Sequence, residues 1–301
     1  MPETAARTDM TTPHTSKTYH IGDARVTRVT ETHLTGLTPS FLYADWDATL
    51  LDTYPPLRSN LDGTGEHAII SIHTWVVELA GQTILIDTGI GNHKERPFSQ
   101  MFHGLNTPFL QRLEAAGVRP DDVDHVLLTH LHADHVGWNT HLVDGRWLAT
   151  FRNARYVLPQ GEVDYFGTPA SANRRIVFDD SVAPVIEAGQ AVTIGLEGGD
   201  YLDGFHFHPT PGHSAGHMSI SLTSRGETAI FSGDVMHSPV QVYRPTWNSV
   251  FCAEQERARE SRRWLLEFAA TNRAAVFTAH FPQSSAGLVQ HTGDDLAWRY
   301  L

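Results

Sequence analysis

The chain has 301 residues, of which 41% are hydrophobic and 10% aromatic, which suffices for a sizeable core and excludes a disordered chain. A formal net charge of −12 leaves no Lys/Arg excess to pair with a phosphate backbone, so nucleic acid is not an expected partner. One cysteine, Cys252, excludes an intramolecular disulfide and any multi-cysteine zinc or iron–sulfur site, while 19 histidines nearly match the 22 Lys and Arg. No apolar run approaches the roughly 18 residues that span a bilayer, and residues 1–17 lack the apolar centre of a secretory signal. The expectation is a polar, disordered tail over 1–17 and a single domain over 18–301, soluble, cytoplasmic and with no membrane partner.

In chain order, residues 18–33 read as two short strands around Gly22-Asp23. Residues 34–66 read as an irregular extension, broken by Pro39, Pro55, Pro56 and Gly63 yet carrying Phe41, Tyr43 and Trp46. Its length suggests a functional role: the aromatics could line a pocket, pack on the domain or touch a second subunit. Two strands joined at Ala80-Gly81-Gln82 follow and end in Asp87-Thr88-Gly89. Thr107 as N-cap, Pro108 at the first helical position and Gly117 beyond the end predict a helix over 107–116. Val126-Leu127-Leu128 is a short buried strand, with later strands expected at 154–158, 205–208, 218–222, 228–232 and 275–279. A long helix is expected over 254–270 with Trp264, Leu265 and Phe268 on one face. Strands interleaved with helices throughout define a mixed α/β or α+β chain.

The chemistry concentrates in Thr129-His130-Leu131-His132-Ala133-Asp134-His135, immediately after the apolar strand. In extended chain, side chains two apart point the same way, so His130 and His132 can grip one ion. His135 is out of phase and can serve a second, whereas spacing does not assign Asp134. Nitrogen and oxygen ligands suit zinc, and also manganese, iron, cobalt or nickel.

His-x-His-x-Asp-His resembles the signature of the metallo-β-lactamase fold superfamily, and later segments match its other motifs in order. These are Thr210-Pro211-Gly212-His213, Ser232-Gly233-Asp234 and Ala279-His280-Phe281, with Asp87-Thr88-Gly89 upstream. The resemblance implies an αβ/βα sandwich, two mixed sheets face to face with helices outside. It implies that His130, His132 and His213 hold one divalent ion, that Asp134, His135 and His280 hold another, and that Asp234 bridges them. Five histidines and two aspartates also exceed the four places around one tetrahedral zinc. Asp87, Thr129 and His217 are expected behind the ligands, since a ligating imidazole normally donates its other N–H to an oxygen.

Gly233-Asp234-Val235-Met236-His237-Ser238-Pro239 and His280-Phe281-Pro282 resemble the branch containing N-acyl homoserine lactonases and methyl parathion hydrolase-like enzymes. That resemblance implies an ester or lactone hydrolase and a homodimer; the mechanism expected of it is attack of a metal-bridging hydroxide on the carbonyl, with Asp134 or metal-bound water helping to protonate the leaving alkoxide. A phosphotriester substrate is the alternative for the same site; a β-lactamase or a non-catalytic relative of the fold ranks below both. Phe41, Tyr43, Trp46, Trp138, His237 and Tyr243 are the expected pocket residues for a small-molecule substrate.

Overall fold

The computed structural model describes residues 17–293 and 295–301, so the expected tail lies, apart from Lys17, outside the described residues. The first sheet is built from β1 (Thr18–Ile21), β2 (Ala24–Leu37), β3 (Ala68–Leu79), β4 (Gln82–Ile86) and β5 (His125–Leu127). A separate hairpin, β6 (Thr140–Val143) and β7 (Arg146–Ala149), precedes its last strands, β8 (Arg155–Pro159) and β9 (Ala191–Ile194). The strand order is β1-β2-β3-β4-β5-β8-β9, antiparallel as far as β4 and parallel from there on. The second sheet contains β10 (Gly199–Asp200), β11 (Phe205–Pro209), β12 (Met218–Ser224), β13 (Glu227–Phe231), β14 (Ala275–Phe277), β15 (Ala286–Thr292) and β16 (Asp295–Tyr300). It runs in sequence order, antiparallel except between β13 and β14.

Side-chain alternation turns each sheet into a two-sided surface. Trp75, Val77, Ile84, Ile86 and Leu127 point between the sheets and meet Phe207, Ile220, Phe231 and Phe277. Their neighbours Val76, Leu85, Val126 and Leu128 point outward and are covered by Phe109, Leu113, Phe166 and Val177. On the far side, Ile230, Val276 and Val289 are covered by Leu265, Leu266 and Ala269 of the helix Gln255–Asn272. Helices, sheet, sheet and helix are thus stacked in the expected αβ/βα sandwich. No helix among the described residues is long and apolar enough to cross a membrane.

Several local expectations are corrected. β2 continues to Leu37, paired with β3 as far as Ala68 through two register shifts, so the extension begins later than residue 34. It is not irregular throughout: it carries the helical turns Pro39–Leu42, Leu50–Thr53 and Pro55–Asn60. Leu42, Tyr43, Leu50, Leu51 and Leu57 pack there on Ile70, Ile72, Val240 and Trp247. The helix expected over 107–116 spans Phe109–Ala115, with Pro108 at the N-cap. Thr107 does not cap it, because its hydroxyl donates to Glu31 Oε1 at 3.1 Å. In the helix Gln255–Asn272, Leu265 is buried but Trp264 is 37% exposed; Ala258, Ser261, Arg262, Leu266 and Ala269 complete the inner face.

Parallel pairing positions the site. β4 and β5 run together, as do β13 and β14, and β11 shares the direction of β13 through β12. The loops leaving the C-terminal ends of these five strands carry Asp87, residues 129–135, His213, Asp234 and His280.

Candidate metal centre

Asp87 follows β4 in the left-handed region (φ 54°), a conformation aspartate tolerates better than most residues. Its carboxylate accepts the Thr129 amide and the Thr129 hydroxyl, each at 2.8 Å, and His135 Nδ1–H at 2.9 Å. With its proton spent on Asp87, Thr129 Oγ1 accepts from His130 Nδ1–H at 3.0 Å. His280 Nδ1–H donates to the Ser71 carbonyl at 3.0 Å. These bonds fix the tautomers, so the Nε2 lone pairs of His130, His135 and His280 all face inward.

His217 has the reverse role. Its Nε2 accepts the Asp234 amide at 2.9 Å while Nδ1–H donates to Thr210 Oγ1 at 2.9 Å. Burial pushes this ring down to about 3, which keeps it neutral and able to accept. His217 therefore supports the Asp234 turn, while Asp87 and Thr129 bond the outer sides of His135 and His130.

The inward atoms form two groups, His130, His132, His213 with Asp234, and Asp134, His135, His280; within each group the candidate ligand atoms lie within 4.8 Å of one another. His132 Nδ1 lies 2.8 Å from His213 Nε2. Asp234 stands between the groups, with Oδ1 at 3.2 Å from His135 Nε2 and 3.0 Å from His280 Nε2. Its Oδ2 is 3.2 Å from His213 Nε2 and 3.9 Å from His130 Nε2. Asp134 Oδ2 lies 3.6 Å from His280 Nε2.

Two observations fit this arrangement to divalent cations. His130 Nε2, His135 Nε2 and Asp234 Oδ1 are buried without a hydrogen-bond partner, a costly state for lone pairs unless a cation satisfies them. Electrostatics agrees. Burial drives His130 and His213 well below the usual histidine range, so both rings are neutral and able to coordinate a cation. Burial opposes charge on His135 as well, yet Asp234, Asp87 and Asp134 together hold it well above that range. The carboxylates there call for positive charge.

The expected pocket residues divide. His237 reaches the centre: Nε2 lies 3.3 Å from Asp234 Oδ2, the ring stacks on His280 at 5.6 Å, and both nitrogens lack hydrogen-bond partners. Trp138 is buried instead, its indole N–H on Glu31 Oε1 at 2.8 Å and its ring stacked on Phe109. Tyr43 is buried with its hydroxyl on Gln241 Oε1 at 3.3 Å, and Trp46 meets Trp247 edge-on. Tyr243 packs on Tyr54 at 4.2 Å. Phe41 is 54% exposed, as is Val250, whose amide is tied to the Leu42 carbonyl. Phe251, absent from the sequence expectations, lies 5.9 Å from His237. Glu31, Glu162 and Ser71 also escaped them, although Glu31 shares strand parity with the core residue Val29.

The fold and the clustered histidines and aspartates define a metallohydrolase-type sandwich. Residues 70–280 match the Metallo-beta-lactamase superfamily, and the chain belongs to that family. It is 25% identical over 181 residues to the N-acyl homoserine lactonase of Bacillus cereus, covering 55% of this chain and 64% of that one. The chain thus spans just under two thirds of that relative's length. Among solved structures it is similar to the hydrolase AbOPH of the beta lactamase superfamily, with a TM-score of 0.78, 26% identity, and 95% and 97% of the two chains covered. It shares its fold with AidC, a dizinc quorum-quenching lactonase, at a TM-score of 0.78 and 20% identity over 95% and 97% of the two chains.

Proposed function

We propose that this protein is a dinuclear metal-dependent hydrolase that opens a lactone or cleaves a related carboxylic ester. The observation that carries the proposal is the set of buried imidazoles whose outer N–H groups are committed to oxygens while their inner lone pairs converge on Asp234. His130, His132 and His213 would hold one ion, Asp134, His135 and His280 the other, and Asp234 both. Zinc suits this donor set. Two such ions supply Lewis acidity for a carbonyl oxygen and acidify water toward neutral pKa.

The chain's own residues do the rest. Asp134 is the more open of the two acids, with its side chain 13% exposed against 4% for Asp234, and can take the proton released by the attacking water and pass it to the leaving alkoxide. His237, with both nitrogens free of hydrogen bonds, faces the same space and can donate to a substrate oxygen. Phe41, Val250 and Phe251 give the neighbouring surface an apolar character suited to an acyl or aryl group. A thiol nucleophile is not required, and burial pushes Cys252 upward, away from thiolate.

The test is a panel of lactones, aryl esters and phosphotriesters assayed with metal-reconstituted protein. Lactones or carboxylic esters should be turned over with the highest kcat/KM, and Asp234→Ala should abolish that turnover. Activity that survives complete chelation, or a preference for phosphotriesters, would overturn the proposal.

A further inference from the structure

Asp87 anchors the outer side of His135 and, through Thr129, of His130, but it does not reach the loop that carries His213. Glu162 does. It stands in the short helix Gln160–Phe166 directly after β8 and is 1% exposed. Its Oε2 accepts the amide of Leu131, the residue between His130 and His132, at 3.1 Å. Its Oε1 accepts the amide of Gly216, in the turn between His213 and His217, at 2.7 Å. One buried carboxylate thus spans both loops that carry the three histidines.

The approach is close. A Cβ on Gly216 would lie 2.5 Å from the Glu162 nitrogen, and one on Gly161 would lie 3.0 Å from the Gly216 Cα. Backbone therefore meets backbone here, and the carboxylate sets the spacing. The two amides fix the carboxylate beside the ligand loops, where its negative charge favours a cation at the neighbouring histidines.

We propose that Glu162 is the positioning residue of the three-histidine ion site: it holds the two ligand loops in register and directs its charge, through two polarised amides, toward the ion. The inference rests on the reading that the centre takes up two ions, but not on what the protein hydrolyses.

The experiment titrates metal-free protein with Zn2+ against a chromophoric chelator. Two backgrounds separate the sites: His280→Ala leaves the three-histidine group intact, and His132→Ala leaves the other. Glu162→Gln should weaken the ion about 10–100-fold in the His280→Ala background, and should leave the ion in the His132→Ala background unchanged. Gly161→Ala keeps the carboxylate but displaces its turn, and should weaken the same ion; it serves if Glu162→Gln does not fold. Unchanged affinity of both variants in the His280→Ala background would overturn the inference. Equal loss in both backgrounds, with a lower Tm for the metal-free protein, would also overturn it, since a purely structural clamp acts that way. Failure of the parent protein to bind two ions would instead refute the dinuclear reading itself.

Discussion

Glu31 offers a sharp test of how the floor beneath the Asp87 turn is held. It is 1% exposed and its carboxylate takes four donors. Oε2 accepts the Ile90 amide at 2.6 Å; Oε1 accepts the Gly91 amide, the Thr107 hydroxyl and the Trp138 indole at 3.2, 3.1 and 2.8 Å. In Glu31→Gln the amide oxygen can serve the three donors on one side, which turns the NH2 against the Ile90 N–H. One orphaned buried donor costs about 1–3 kcal/mol. At about 2–4 °C per kcal/mol for a protein of this size class, Tm should fall by roughly 2–12 °C. Glu31→Ala orphans all four donors and opens a cavity, so its loss should exceed about 4 kcal/mol. Thermal unfolding followed by near-UV circular dichroism measures both. A Gln variant with unchanged Tm, or an Ala variant no worse than Gln, would refute the reasoning.

Other outcomes follow from the same network. Asp87→Asn keeps a residue that tolerates the left-handed turn but replaces one acceptor oxygen with an NH2, which then opposes the Thr129 amide on one side or Thr129 Oγ1 and His135 Nδ1 on the other; it should weaken the ion at His135 about 10–100-fold in a chelator competition. Chelation should lower Tm, because ions at about 1,000 times their Kd contribute roughly 4 kcal/mol to the folded state; an unchanged melting curve would count against a bound metal. Lys94 is fully buried over the Trp147 ring, and burial lowers its ammonium from 10.5 to about 7. Below about 7 the folded chain carries a buried charge; between about 7 and 10.5 only the unfolded chain stays protonated, so stability should rise with pH across that window. Urea unfolding at pH 6, 8 and 10 should show a gain on the order of a few kcal/mol that Lys94→Met lacks; parallel curves would contradict the assignment.

The layers of the sandwich and the main cluster were legible because each is written locally. Short apolar runs mark β3 and β4, apolar alternation marks β12, and residues 130–135 are contiguous in the chain. What stayed hidden depends on partners far away in sequence. Thr107 has every local mark of a cap, but Glu31, on a strand 76 positions earlier, takes its hydroxyl. Trp138 and Tyr43 read equally well as pocket or core, and only packing decides that a ring with a polar tip is buried against Glu31 or Gln241. Glu162 looks like any acid in a helix until the fold brings Gly216 against it. The inner face of the helix Gln255–Asn272 departs from the apolar pattern because Arg262 is buried there, its guanidinium spent on the Val235 and Pro245 carbonyls.

Neither sheet owns a complete nest of donors. His130, His132, Asp134 and His135 come from the half of the chain made first, whereas His213, Asp234 and His280 come from the half made last. A nascent chain halted before residue 213 offers only the contiguous donors of 130–135, so a cation held in either full group would need both halves of the sandwich closed.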